Sequence, residues 1–139
     1  MKKLENVFCY PDTLQNRYVP QSWQIFIMNS FLNNFKKKIQ FYTGENHRGY
    51  GKMKIFSEKI KTKPKINGFI FYSLIQFCYD KKTNIHLIEK AVKSNYTIYL
   101  AREKIKIDKE NFEKKKNDLV FFKYNNQKLI ESIKKKFEK

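Results

Sequence analysis

At 139 residues the chain has the length of one domain, enough to bury a core. Hydrophobic residues at 41% and aromatics at 17% exclude a disordered chain. The formal charge of +17 invites a nucleic-acid partner, but 27 of the 30 basic residues are Lys. Only Arg17, Arg48 and Arg102 carry the forked guanidinium that reads phosphate and guanine, and the balance favours a solvated basic surface.

In chain order, "LENVFCY" (4–10) is a short apolar run read as the first strand. "PDTLQNRYVPQ" (11–21) is a polar loop, with Pro20 where a helix would start. Ile25, Met28, Phe31, Leu32 and Phe35 follow at spacings of three and four, predicting an amphipathic helix. "KIQFYTG" (38–44) reads as a second strand and "ENHRGYG" (45–51) as a Gly-punctuated loop. Met53, Phe56 and Ile60 mark a short second helix stopped by "TKPK". Gly68 opens the third strand, in which Phe69, Phe71, Leu74 and Phe77 are expected to pack. Asn84 to Lys93 is a third helix with Ile85, Ile88 and Val92 inward, ended by Asn95. "YTIYLA" (96–101) is a fourth strand, and "EKIKI" a short edge strand. Asp108 is a helix cap for a Lys-rich tail that ends with Leu129, Ile130, Ile133 and Phe137 at helical spacing. The tail is marginal alone and is expected to dock on the domain or on a second subunit.

Repeated strand–helix–strand units predict a doubly wound α/β fold over 1–107. It has a mainly parallel sheet of four to five strands with helices on both faces, and a helical tail at 108–139 that is no domain of its own. Right-handed crossovers place the strand C-terminal ends on one edge, where ligands of such sheets bind. The loops at that edge are 11–21, 43–51, 73–80 and 102–104. The first offers Asp12, Thr13, Arg17, Gln21 and Ser22. Arg17 with the free N–H groups after Pro20 suits an anion such as a phosphate or sugar carboxylate, though Arg17 could equally pair with Asp12 or Glu45. The second offers Glu45, His47 and Arg48, a pairing able to do acid–base work, but it lacks the ending of a P-loop. The third offers Tyr72, Ser73, Gln76, Tyr79 and Asp80. Ser73 has no GxSxG context, so a hydrogen-bonded strand terminus is the favoured reading, and Asp80 fits as a helix cap. Arg102 and Glu103 in the fourth loop are expected to pair with neighbours, and His86 to be structural.

Cys9 and Cys78 have no metal or redox spacing and read as buried thiols of a reducing compartment. Met1 to Tyr10 lacks the pattern of a signal peptide, and no apolar run approaches the roughly 20 residues that span a bilayer. A cytoplasmic location is expected, with no cofactor and no metal.

Two resemblances refine the expectation. "GFIFYSLIQFCYDKKTNIHLIEKAVKSNYTIYLAREKI" has the strand–loop–helix–strand layout of the resolvase/invertase (serine recombinase) catalytic domain, and "NRYVPQSWQIFIMNSFLNN" resembles that family's first loop and helix. The family's Asp-Arg-x-x-Arg pattern falls on Ile75, Gln76 and Tyr79 here, and its Arg-x-Ser is not recognisable in "YPDTL". The resemblance implies a resolvase-like fold without recombinase activity. "RYVPQSWQ", "TGEN", "FIFYSLIQF" and "YTIYLAREKIKI" together resemble the sporadic carbohydrate cluster protein family over roughly residues 5 to 110. That likeness implies a role in surface-polysaccharide synthesis and points to Arg17, Pro20, Gln21, Glu45, Tyr72, Ser73 and Gln76. The expectation is binding of an anionic sugar or nucleotide-sugar, with Glu45 as base. Arg17 would meet the anionic group, and Gln21, Ser73 and Gln76 the hydroxyls. The alternatives are a non-catalytic module that docks on a glycan-synthesis enzyme or pairs as a homodimer, and a recombinase-derived nucleic-acid binder.

Overall fold

The computed structural model describes residues 6–15, 18–42, 53–78 and 85–137. Five strands form one sheet: β1 (Asn6–Tyr10), β2 (Lys38–Tyr42), β3 (Gly68–Phe71), β4 (Thr97–Leu100) and β5 (Ile105–Ile107). Their order is β2-β1-β3-β4-β5; the first four are parallel and β5 runs antiparallel to β4. Five α-helices lie among the described residues: α1 (Gln21–Asn33), α2 (Lys54–Lys61), α3 (Ile85–Lys93), α4 (Phe112–Asn125) and α5 (Gln127–Phe137). The mainly parallel α/β architecture expected from the sequence is therefore present, and β4 and β5 are shorter than the runs 96–101 and 103–107.

Alternation along the strands assigns side chains to two cores. Val7, Cys9, Ile70, Tyr72, Tyr99 and Ala101 face α1, which contributes Met28, Phe31 and Leu32. Tyr10, Phe69, Phe71, Ile98 and Leu100 face the opposite side, covered by α2, α3, α4 and α5. That larger core is built on aromatic rings. Phe56 meets Tyr10, Phe69 and Phe71 edge-on at centroid distances of 5.7, 5.0 and 4.9 Å, and Phe71 meets Phe77 at 4.6 Å. Burying each Phe is worth about 1.5–3 kcal/mol, so these rings are a main source of cohesion.

The tail belongs to the larger core. Phe112, Leu119, Ile130 and Ile133 are buried within it, whereas Leu129 is exposed. Asp108 caps the entry to α4 through a reciprocal pair. Its Oδ1 accepts from the Asn111 N–H at 2.9 Å, and the Asn111 Oδ1 accepts from the Asp108 N–H at 2.9 Å. At the start of β3, Gly68 is forced by close approach, because a Cβ there would stand 2.0 Å from the Thr97 carbonyl oxygen. The inward positions expected for α2 and α3 are buried: Phe56, Ile60, Ile85, Ile88 and Val92. His86, expected to be structural, is exposed on α3.

Candidate functional site

Strand order reverses between β1 and β3: β2 lies on one side of β1, and β4 on the far side of β3. At such a switch point the chains leaving the two strands diverge and open a crevice at the carboxyl edge. Three segments meet there. They are the exit of β1 with its 3-10 turn at Thr13–Gln15, the exit of β3 with its 3-10 turn at Leu74–Phe77, and the β4–β5 turn.

The β3 exit is held by its own side chains. The Ser73 hydroxyl oxygen accepts from the Ile75 N–H at 3.1 Å, and the Gln76 Oε1 accepts from the Ser73 N–H at 3.1 Å, a capping box. The Gln76 Nε2 then donates to the Tyr10 carbonyl at 3.0 Å, tying the two sides of the switch point together. Glu103, from the β4–β5 turn, completes the network. Its Oε2 accepts from the Ser73 hydroxyl at 2.7 Å and its Oε1 from the Leu74 N–H at 2.9 Å. The Arg102 guanidinium stands 3.8 Å from Glu103 and is partly exposed. Burial raises the Glu103 pKa above its ordinary 4.5, opposed in turn by the Ser73 and Leu74 hydrogen bonds and by Arg102.

A second network fixes the start of α1. The buried Gln24 accepts from the Asp12 N–H at 2.7 Å and donates to the Asp12 carbonyl at 2.9 Å and the Val19 carbonyl at 3.0 Å. The Asp12 carboxylate accepts from the Leu14 N–H at 3.0 Å and from the Gln15 amide at 2.6 Å. Between the networks sits the buried Tyr72. Burial raises its phenol pKa, with Arg102 lowering it and the Glu103 and Asp12 carboxylates raising it further.

The expected site residues thus divide. Tyr72, Ser73 and Gln76 come together at the switch point, but Ser73 and Gln76 are buried and both ends of the Gln76 amide have internal partners. Their hydrogen bonds hold the β1 and β3 exits and the β4–β5 turn together. Ser73 Oγ beside the Glu103 carboxylate has the contact of a nucleophile and its base, but the hydroxyl is fully buried, so the pair braces the loop. Gln21 and Ser22 are exposed on the first turn of α1, where no side chain caps the helix at Pro20. Arg17, Glu45, His47, Arg48, Tyr79 and Asp80 lie outside the described residues.

Gln24, Trp23 and Phe26 were missed in the sequence as site residues. Gln24 stands four residues before Met28 on the buried stripe of α1, and a polar residue on such a stripe signals a buried hydrogen-bonding role. Glu103, expected to pair with neighbours, does so with the Ser73 hydroxyl and the Leu74 N–H. Trp23 and Phe26 are 66% and 69% exposed and, with Ser22, line an open, mainly apolar cleft of about 310 Å³. An exposed Trp on the polar side of an amphipathic pattern carries the signal.

Among the described residues no group of three or more His, Cys, Asp or Glu side chains is placed to hold a metal, and no helix is long and apolar enough to cross a membrane. No protein-family model matches the chain, and neither a curated protein nor a solved structure matches it.

Proposed function

We propose that the protein binds an anionic sugar or nucleotide-sugar at the carboxyl edge of its sheet, in the cytoplasmic synthesis of a surface polysaccharide. The observation that carries this reading is the exposed Trp23 and Phe26 cleft, beside the uncapped first turn of α1 with its exposed Gln21 and Ser22. An indole offers a flat apolar platform for the C–H face of a sugar ring, and adjacent polar groups fix its orientation. Uncapped N–H groups at the helix start favour an anionic substituent. On this reading Arg17 meets the negative charge, Gln21 and Ser22 meet hydroxyls, and Glu45 is the candidate base. The motifs "RYVPQSWQ" and "FIFYSLIQF" support the glycan setting through their resemblance to the sporadic carbohydrate cluster family. The sheet order, with its antiparallel last strand, is compatible with a resolvase-like fold. Recombinase chemistry is not part of the reading, because buried Ile75 and Gln76 stand where that family needs charged groups.

Thermal-shift measurement against nucleotide-sugars and acidic sugars tests it. Ligand at about a hundredfold excess over its Kd should stabilise the chain by roughly 2.7 kcal/mol. Trp23→Ala, at an exposed position, should abolish the shift while leaving the melting temperature without ligand unchanged. Absence of any shift across the set, together with an Arg17→Ala strain that makes normal glycan, would overturn the proposal.

A second reading, a non-catalytic module that docks on a glycan-synthesis enzyme, draws on the internal use of Ser73, Gln76 and Glu103 as braces. Pull-down from a producing strain that recovers no such enzyme, with a monomer on sizing, would count against it.

A further inference from the structure

The outer face of the tail has features that the sugar site does not use. On α4, Phe112 and Leu119 are buried, whereas Val120, Phe121 and Tyr124 are 56%, 66% and 79% exposed. The exposed three stand at i, i+1 and i+4, one apolar patch on the side of the helix turned away from the core. Exposed Leu129 follows in the first turn of α5. The patch has basic neighbours: Lys114 and Lys116 are exposed on α4, and Lys128 on α5. From Phe112 to Phe137 the sequence has eight Lys against Glu113, Asp118 and Glu131, a net of +5.

We propose that this face of the α4–α5 pair docks on the surface of an anionic phospholipid bilayer. The argument is charge complementarity combined with the mixture of apolar side chains. Interfacial attachment takes apolar side chains that enter the headgroup boundary and lysines that are drawn to anionic lipid. Leu129 and Val120 add apolar area to the Phe121 and Tyr124 rings at that boundary. Stacking on nucleic-acid bases would use only the aromatic rings, and a single-stranded partner favours Arg beside them. A second copy of the chain would bring Lys114, Lys116 and Lys128 against their own equivalents, an arrangement that like charges oppose. The contrast with α1 is informative. Its outer face also exposes aromatic rings, but none of its 13 residues is charged, so it lacks the electrostatic half of the attachment. The docking face lies on the opposite side of the sheet from α1, and this inference does not depend on the sugar reading.

Vesicle flotation with the full chain tests it. The protein should float with phosphatidylcholine vesicles containing about one phosphatidylglycerol in three, and much less with pure phosphatidylcholine. Replacing both Phe121 and Tyr124 by Glu should weaken flotation at least about tenfold, and Lys→Gln at 114, 116 and 128 by up to about fivefold per lysine. All five positions are exposed, and an unchanged melting temperature verifies the fold of each variant. A local probe adds a second readout. The sequence has one Trp, so Trp23→Phe combined with Phe121→Trp places the only indole in the patch. Its emission should move to shorter wavelength when the anionic vesicles are added. Equal flotation with neutral vesicles, no flotation with either, no emission shift, or flotation abolished by a stoichiometric oligothymidylate would each overturn the proposal.

Discussion

Glu103 is one of the most consequential single residues at the carboxyl edge. It is buried, it raises its own proton affinity by losing water, and it receives two donors from the neighbouring loop. Because the folded state holds this proton more tightly than the unfolded chain, the linked stability is fully present below the ordinary value of 4.5. It is lost as the pH rises through the raised folded pKa. Glu103→Gln removes that titration, so its denaturation midpoint should vary less with pH than the wild type across this window. At low pH the protonated carboxyl and the amide each offer one carbonyl acceptor, so the two proteins should there lie within about 1 kcal/mol of each other. A pH profile parallel to the wild type would refute the assignment. The sequence exposes little of this. Ser73 and Gln76 are recognisable as polar residues at a strand end, but their partner arrives from a turn 30 residues away, and no local pattern encodes that meeting.

At the scale of elements, the helix ends carry strain that composition hides. α1 is followed by Lys36 at φ 56°, α2 by Lys63 at φ 50°, and α3 by Asn95 at φ 71°, all left-handed. In α1 and α3 the next N–H reaches back to close the end, Lys37 to the Leu32 carbonyl at 3.2 Å and Tyr96 to the Ala91 carbonyl at 3.1 Å. Asn tolerates this conformation, and Asn95 could be read as a helix stop. Lys does not, and nothing in "NNFKKKIQ" marks Lys36 as the turning point. Lys36→Gly should therefore raise stability by about 1 kcal/mol, the left-handed penalty less the entropy of an added glycine. Chemical denaturation would detect it, and an unchanged or lower midpoint would contradict the argument. Where the pattern is strong the elements were legible: the continuous apolar runs of β1, β3 and β4, and the three-four stripes of α1 and α3. α4 was less so, since apolar residues surround it on all sides and its outer patch blurs the stripe.

At the scale of the molecule, one sheet separates two unequal cores, and each core contains one cysteine. Cys9 lies on the α1 side, beside Met28, with its thiol pushed up to about 12 by burial; Cys78 lies in the aromatic core on the other side. Neither thiol should react with a maleimide in native buffer, because both are buried and a thiol so seldom ionised at Cys9 is a poor nucleophile. Fast labelling of Cys9 in the native state would contradict the packing described. The arrangement turns two otherwise inert side chains into a pair of clocks. Under mild destabilisation, mass spectrometry of single-Cys variants would time the opening of each layer separately. Cys78 would report when α2 to α5 lift away, and Cys9 when α1 does. The domain thus carries, in its own sequence, the means to learn which of its faces moves first.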